Sequence, residues 1–145
     1  MIELIFVIVI LGILAAVAIP KLAATRDDAK ISRLSMNIET AIAEIGSYAA
    51  SKGKTESDLS KMSAAIEYMV RGGEADVSEN DKAKIKVGEN SDCITIEVVT
   101  SADGNDKNVT VVANDDDGDG KCKTIQTVIK DQNYNMQLEG STVTY

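Results

Sequence analysis

Histidine and tryptophan are absent from this chain of 145 residues, and phenylalanine and proline occur once each. Without histidine the chain has no imidazole base, no Ser-His-Asp triad and no histidine-based metal site, which argues against an enzyme. Few aromatic residues allow only a thin core, and small domains with thin cores need additional stabilisation. Basic residues are also scarce, 15 against 23 acidic ones, and the net charge of −8 argues against a nucleic-acid partner.

Charge is absent from residues 4–19, a long aliphatic run that directly follows Glu3. About 20 apolar residues span a bilayer, so the run predicts a membrane anchor. A signal peptide would carry a basic region ahead of the run, and a core helix would be less uniformly apolar. An acid inside such a segment indicates a function with a partner, and favours an anchor that also packs against copies of itself.

The segment that follows Pro20 predicts an amphipathic helix. Apolar residues recur at steps of three and four over residues 31–49, which is the spacing of one helical face. Gly53 is placed to cap its C-terminus. A single helix over residues 2–52 would be about 75 Å long. We expect Gly12 and Pro20 to kink or loosen it, because proline removes one backbone hydrogen bond.

The first segment, IELIFVIVILGILAAVAIPKL, combines an early acid, a long aliphatic run, Gly12, the pair Ala15-Ala16 and Pro20. In these features it resembles the N-terminal segment of the type IV pilin family, which includes the pseudopilins of type II secretion. The resemblance covers this segment only. It implies an α+β, type IV pilin-like fold, with a long N-terminal helix packed on a small antiparallel sheet. It also implies a subunit that polymerises through that helix.

Two parts of the chain follow from these observations. Residues 1–24 are expected to form a hydrophobic transmembrane or filament-core helix. Residues 25–145 are expected to form an amphipathic helix and a C-terminal α+β globular domain. The resemblance implies a place in the bacterial inner membrane before assembly, and then in an extracellular pilus or a periplasmic pseudopilus.

The resemblance further implies a set of partners. These are other copies of the chain in a helical homopolymer, a prepilin peptidase that removes a short basic leader, and a pilus or secretion assembly machinery. The Phe-Thr that commonly precedes the third mature residue is not in this sequence. We therefore expect the processing site to lie ahead of Met1.

Glu3 stands where pilins carry an acid that is thought to pair with the amino terminus of a neighbouring subunit. A buried carboxylate is tolerable when a cation neutralises it, so the pairing could draw a subunit into its axial position. The resemblance thus assigns assembly to Glu3, with Gly12 and Pro20 as further matching positions. The alternative is that Glu3 lies near the segment's end and reaches the headgroups.

The globular part begins with a second predicted helix. Thr55 and Asp58 match a capping box, and Gly72-Gly73 would end the helix. Its apolar stripe consists of Leu59, Met62, Ala65, Ile66 and Met69. We interpret the methionines as core residues.

Alternating segments predict the sheet. Strands are expected at residues 82–88, 93–100 and 108–113, the last two as a hairpin that turns near Gly104. The tail over residues 135–145 predicts a final strand with a bulge at Gly140. Neither an internal repeat nor a second globular domain is evident.

The two cysteines are Cys93 and Cys122. The hairpin should bring Asn114 or Asp115 opposite Cys93, and Cys122 follows after one short loop. Two cysteines in an exported domain favour a disulfide, and two buried thiols are the alternative. Many pilins close a C-terminal region with such a bond.

The loop NDDDGDGKC suggests a calcium site. Asp115, Asp117 and Asp119 precede Gly120 in D-x-D-x-D-G spacing, which aims alternate carboxylates at one centre. The twelfth position, which is a bidentate Glu in EF-hands, is Gln126. Some type II secretion pseudopilins bind calcium in a C-terminal loop, so the resemblance supports Ca²⁺ as a cofactor, and the sequence suggests no other. The alternative is a solvated acidic turn.

Three functions remain open from the sequence. The first is a structural subunit of a type IV pilus-like filament, which serves adhesion, motility or DNA uptake. The second is a pseudopilin of a type II secretion system. The third is a membrane-anchored extracytoplasmic binding module.

Overall fold

The fold is α+β, as the sequence predicts, and consists of a long N-terminal helix and a small antiparallel sheet. A computed structural model describes residues 1–102, 104, 106–114, 118, 120–130 and 134–139. The helices are α1 (Ile2–Lys52), α2 (Ala64–Arg71) and α3 (Gly120–Lys130), with one 3₁₀ turn at Leu59–Lys61. The strands are β1 (Ala75–Asp76), β2 (Lys82–Val87), β3 (Asn90–Thr100), β4 (Lys107–Ala113) and β5 (Asn135–Glu139).

The five strands form a meander in which each strand pairs with the next one along the chain. The predicted hairpin is confirmed as β3 and β4, with Ile94 opposite Ala113 and Thr100 opposite Lys107. Side chains alternate between the two faces of a strand, so Ile94 and Ile96 point into the core. The two-residue strand β1 is too short to leave a periodic signal, and the sequence did not predict it.

Helix α1 supplies the other side of the core. Leu34, Ile38 and Ile45 are fully buried against the sheet and lie on the predicted stripe. The predicted cap is also confirmed, because Gly53 is left-handed (φ 64°) and its N–H donates to Ala49 O over 2.8 Å. The first half of α1 extends away from the sheet.

The predicted capping box at Thr55 and Asp58 is wrong. Asp58 caps only the 3₁₀ turn, and α2 starts after Ser63, whose hydroxyl accepts a hydrogen bond from Ile66 N–H over 3.2 Å. The helix is delayed because Glu44 of α1 binds this later turn. The predicted end of the helix at Gly72-Gly73 is confirmed, since Gly73 has a φ of 70°.

Helix α3 was missed, because its sequence is rich in β-branched residues that do not favour a helix by themselves. Cys122, Ile125 and Ile129 are buried and attach α3 to α1 and β3. Tertiary packing therefore overrides weak local preference. The predicted final strand is confirmed as β5, and the predicted bulge at Gly140 lies outside the described residues.

Candidate functional site

The exposed apolar half of α1 is the most unusual surface of the protein. Every side chain from residue 1 to residue 26 is exposed, and large aliphatic residues dominate the first 22. Within the described residues, one helix is long and apolar enough to cross a membrane, and this is it. Monomeric soluble proteins rarely expose apolar patches this large, so the surface requires a cover of lipid or protein.

Glu3 lies in the first turn of α1, where the helix dipole favours a negative charge. Its side chain is 98% exposed. The carboxylate is thus accessible to a cation from another molecule.

Gly12 and Pro20 lie inside α1, which is continuous through both residues. A Cβ at Gly12 would meet no described atom within 4 Å, so the fold of one subunit does not require glycine there. Glycine in a helix interior costs about 1 kcal/mol relative to alanine. A close approach by a second molecule would explain the glycine. A bend at Pro20 stays a prediction.

Two ion pairs hold α1 where it leaves the globular domain. Lys121 Nζ of α3 is 3.0 Å from Asp27 Oδ2, and Arg33 donates a hydrogen bond to Glu74, which follows α2. The Glu74 hydrogen bond raises the pKa of Arg33. The pairs reach α1 from two different elements, at the level where the helix leaves the domain.

The structure joins Cys93 of β3 to Cys122 of α3, with their Cα atoms 5.7 Å apart. As expected, Asn114 lies opposite Cys93, and its N–H donates to Cys93 O over 3.1 Å. The sequence did not predict that Gln126 would bind the backbone beside the disulfide. Its Nε2 donates to Cys93 O over 2.9 Å and to Asn114 O over 2.6 Å. The side chain of Gln126 is therefore engaged at the strand ends beside the disulfide.

The predicted calcium ligands Asp115, Asp117 and Asp119 lie outside the described residues. In the part of the chain that the structure describes, no cluster of three potential metal ligands occurs. The calcium site therefore stays a prediction.

A charged cluster that the sequence did not indicate lies on the outer face of the sheet. Lys84 Nζ is 2.7 Å from Glu79 and 3.2 Å from Asp92, whose other oxygen accepts from Thr95 and Asn114. The hydrogen bond from Lys84 to Glu79, and to a smaller extent the one to Asp92, raises the pKa of Lys84. Since each of these charges has a partner, we interpret the cluster as one that stabilises the pairing of β2, β3 and the end of β4.

A scan against protein-family models and searches of curated proteins and of solved structures each found no match. Function is therefore inferred from the geometry of the chain and from the resemblance of its first segment.

Proposed function

We propose that this chain is a structural subunit of a type IV pilin-like filament, which assembles through the first half of α1. One observation carries the proposal. A single continuous helix is exposed and apolar in its first half and forms one wall of the domain core in its second half. Such a helix can anchor a subunit in the membrane before assembly and pack against other copies afterwards.

The exposed apolar half of α1 is suited both to a lipid bilayer and to a bundle of helices from other copies. Its 18-residue apolar window is long enough for a bilayer, and none of that window is buried inside the subunit. Lipid tails are as apolar as leucine side chains, so transfer from lipid to a bundle of helices costs little solvation energy. Packing between copies then decides assembly, and small residues such as Gly12 allow close approach.

Glu3 supplies specificity in this proposal. An isolated carboxylate in an apolar bundle is expensive, whereas one paired with the amino terminus of a neighbouring copy is tolerable. Only copies placed at the right height can make that pair. The accessible position of Glu3 at the helix start supports this role.

The same arrangement fits a surface pilus and a type II secretion pseudopilus. In both, the domain is extracytoplasmic and the helix is in the inner membrane before assembly. Electron microscopy of sheared surface material tests the class of function. Filaments that contain the chain support the proposal, whereas a monodisperse anchored monomer supports the binding module.

The residue-level test replaces Glu3 with leucine. We expect unchanged or easier membrane insertion, because translocon scales assign an acid about 2.5–3.5 kcal/mol at the bilayer centre and less near the interface. Filament yield should fall strongly, because the neighbouring amino terminus would enter the core unpaired. Membrane-pool abundance and sheared filament yield are measured side by side.

Two controls separate charge from bulk in this experiment. Glu3→Asp keeps the charge and should retain part of the filament yield. Ile5→Leu changes an exposed aliphatic residue two positions away and should behave as wild type. Normal filaments from Glu3→Leu subunits alone would refute the pairing.

A further inference from the structure

The outer face of the sheet, which is turned away from α1, carries one sequence motif that neither the fold nor the proposed function explains. Residues 108–110 of β4 read Asn-Val-Thr, the only Asn-x-Ser/Thr triplet in the chain. In an exported protein this triplet is the acceptor motif for an N-linked glycan, although it also occurs by chance. The surroundings of its two polar side chains therefore decide whether the motif has a use.

Asn108 lies on the outer face. Side chains alternate along β4, and Val109 is fully buried in the core that α1 shares with the sheet. Asn108 is partly exposed, and its side-chain amide forms no hydrogen bond with any of the described residues. Its neighbours across the strands are Val99, which is 41% exposed, and Gln137. The amide nitrogen is thus available for a substituent that points away from α1.

Thr110 lies on the same face, yet the fold gives its hydroxyl no partner. Within the described part of the chain, Thr110 Oγ1 is buried and forms no hydrogen bond. A buried polar group without a partner lowers stability, and a valine of the same shape would avoid that cost. Folding of the domain therefore does not explain the threonine. The third residue of the acceptor triplet, in contrast, must carry a hydroxyl.

We propose that Asn108 is an N-glycosylation site, and that the Thr110 hydroxyl is retained for the enzyme that attaches the glycan. The co-substrate is an oligosaccharide joined to a membrane lipid through a diphosphate, and the enzyme is a membrane oligosaccharyltransferase. A bond forms between Asn108 Nδ2 and the anomeric carbon of the sugar, while the bond from that carbon to the diphosphate oxygen breaks. The amide loses one proton and the lipid diphosphate leaves, without oxidation or reduction.

Two features of the chain agree with this reaction. The exposed apolar half of α1 is long enough to hold the chain in a membrane, where a lipid-linked sugar is located. The disulfide between Cys93 and Cys122 is typical of the oxidising side of such a membrane. The inference rests on the anchored, extracytoplasmic placement in the proposed function, and does not depend on filament assembly.

The fold determines when the glycan can be attached. In the folded domain, Asn108 is paired with Val99 on one side and with Gln137 on the other, and Thr110 Oγ1 is buried. An enzyme that must bind both side chains of the triplet cannot reach the hydroxyl there, so attachment has to precede the pairing of β4. The triplet also lies inside the chain segment that the disulfide closes. Disulfide formation therefore competes with attachment.

Tandem mass spectrometry of the chain from its native membrane tests the site. We expect the peptide that contains Asn108 to carry the mass of whole sugar residues, attached at Asn108. Asn108→Gln should lose that mass completely. The matched control Asn80→Gln changes an exposed asparagine outside any such triplet, and should keep the glycan. An unmodified Asn108 in the wild-type chain from that membrane would overturn the site.

Two variants of Thr110 separate the hydroxyl from the shape of the side chain. Thr110→Ser keeps the triplet and should keep the glycan, whereas Thr110→Val keeps the shape and should lose it. In protein made without the transferase, Thr110→Val should melt at or above the temperature of wild type, because the fold does not use the hydroxyl. A glycan that persists in Thr110→Val, or a clear fall in its melting temperature, would contradict the role assigned to Thr110.

The order of the two events is tested with Cys93→Ala/Cys122→Ala. Its glycosylated fraction should equal or exceed that of wild type, and a lower fraction would contradict attachment before folding. Filament formation is scored separately by electron microscopy. Filaments built from unmodified wild-type subunits refute the glycan and keep the proposed function. A glycan at Asn108 without filaments keeps the inference and refutes the filament.

Discussion

Glu44 connects two helices through a single carboxylate. It lies on α1, but its Oε2 accepts hydrogen bonds from Ser63 Oγ over 2.7 Å and from Ala65 N–H over 3.0 Å. These groups belong to the first turn of α2, where backbone donors lack partners inside the helix. The hydrogen bond from Ala65 N–H, and to a smaller extent the one from Ser63, lowers the pKa of Glu44 below its ordinary value of 4.5.

The Glu44 contact predicts a pH-dependent contribution to stability. A lowered pKa in the folded state means that the contribution is complete above pH 4.5 and is lost as pH falls through the lowered pKa. Glu44→Gln should destabilise the domain by about 1–2 kcal/mol at neutral pH, a typical magnitude for a helix cap. The difference from wild type should shrink below pH 4.5. Urea unfolding at several pH values measures both effects.

Glu89→Gln serves as the control for this experiment. Glu89 is exposed in the turn between β2 and β3, and its loss should leave stability unchanged within about 0.5 kcal/mol. A Glu44→Gln deficit that stays constant down to pH 3 would contradict the assigned role of the charge.

Among the elements, α3 depends most on its surroundings. It has 11 residues, a length at which an isolated helix is marginal in water. Its buried residues Ile125 and Ile129 and its disulfide hold it against α1 and β3. The pair between Lys121 and Asp27 adds a contact to the point where α1 leaves the domain.

Removing the disulfide is expected to destabilise the domain. The cysteines are 29 positions apart, for which loop-closure entropy gives roughly 3–4 kcal/mol. The double variant Cys93→Ala/Cys122→Ala should lose about that amount in urea unfolding. Intact mass after alkylation, with and without reduction, tests the bond itself. Two free thiols in protein from its native compartment would show that the bond does not form there.

At the scale of the whole molecule, the two halves of α1 differ in burial, because the first half is exposed and the second half is packed in the domain core. The core begins at Ile31, which is 8% exposed, and Leu34 is the first fully buried residue. Residues 1–24 make no contribution to that core. The apolar half is therefore exposed and separate from the domain core, while the rest of α1 is a structural part of the domain.

This division predicts the outcome of two truncations. A chain of residues 25–145 keeps Asp27, Ile31 and Leu34, and should be a folded monomer with a cooperative thermal transition. A chain of residues 35–145 loses the ion pairs at Asp27 and Arg33 and two core side chains. Each lost core side chain costs about 2–5 kcal/mol, so this chain should be largely unfolded. Equal melting of the two chains would place the domain boundary elsewhere.

Much of the fold follows from the sequence because it rests on short-range periodicity. The stripe of α1, its end at Gly53 and the alternation of β3 are each set by residues within one or two turns of one another. The candidate site was also evident, since residues 4–19 contain no charge and follow Glu3. Lipid or protein must cover such a run whatever the fold.

Tertiary structure decided the features that depend on residues far apart in the chain. Helix α2 begins after Ser63, later than predicted, because Ser63 donates a hydrogen bond to Glu44, which lies 19 positions earlier in the chain. Helix α3 formed against α1 and β3, and Gln126 joined two strand ends. In the structure, the fold of a single chain leaves Glu3 exposed and places no described atom within 4 Å of a Cβ at Gly12. Local sequence cannot encode these results, because a hydrogen bond or an exposed face is defined only when the separate segments are packed together.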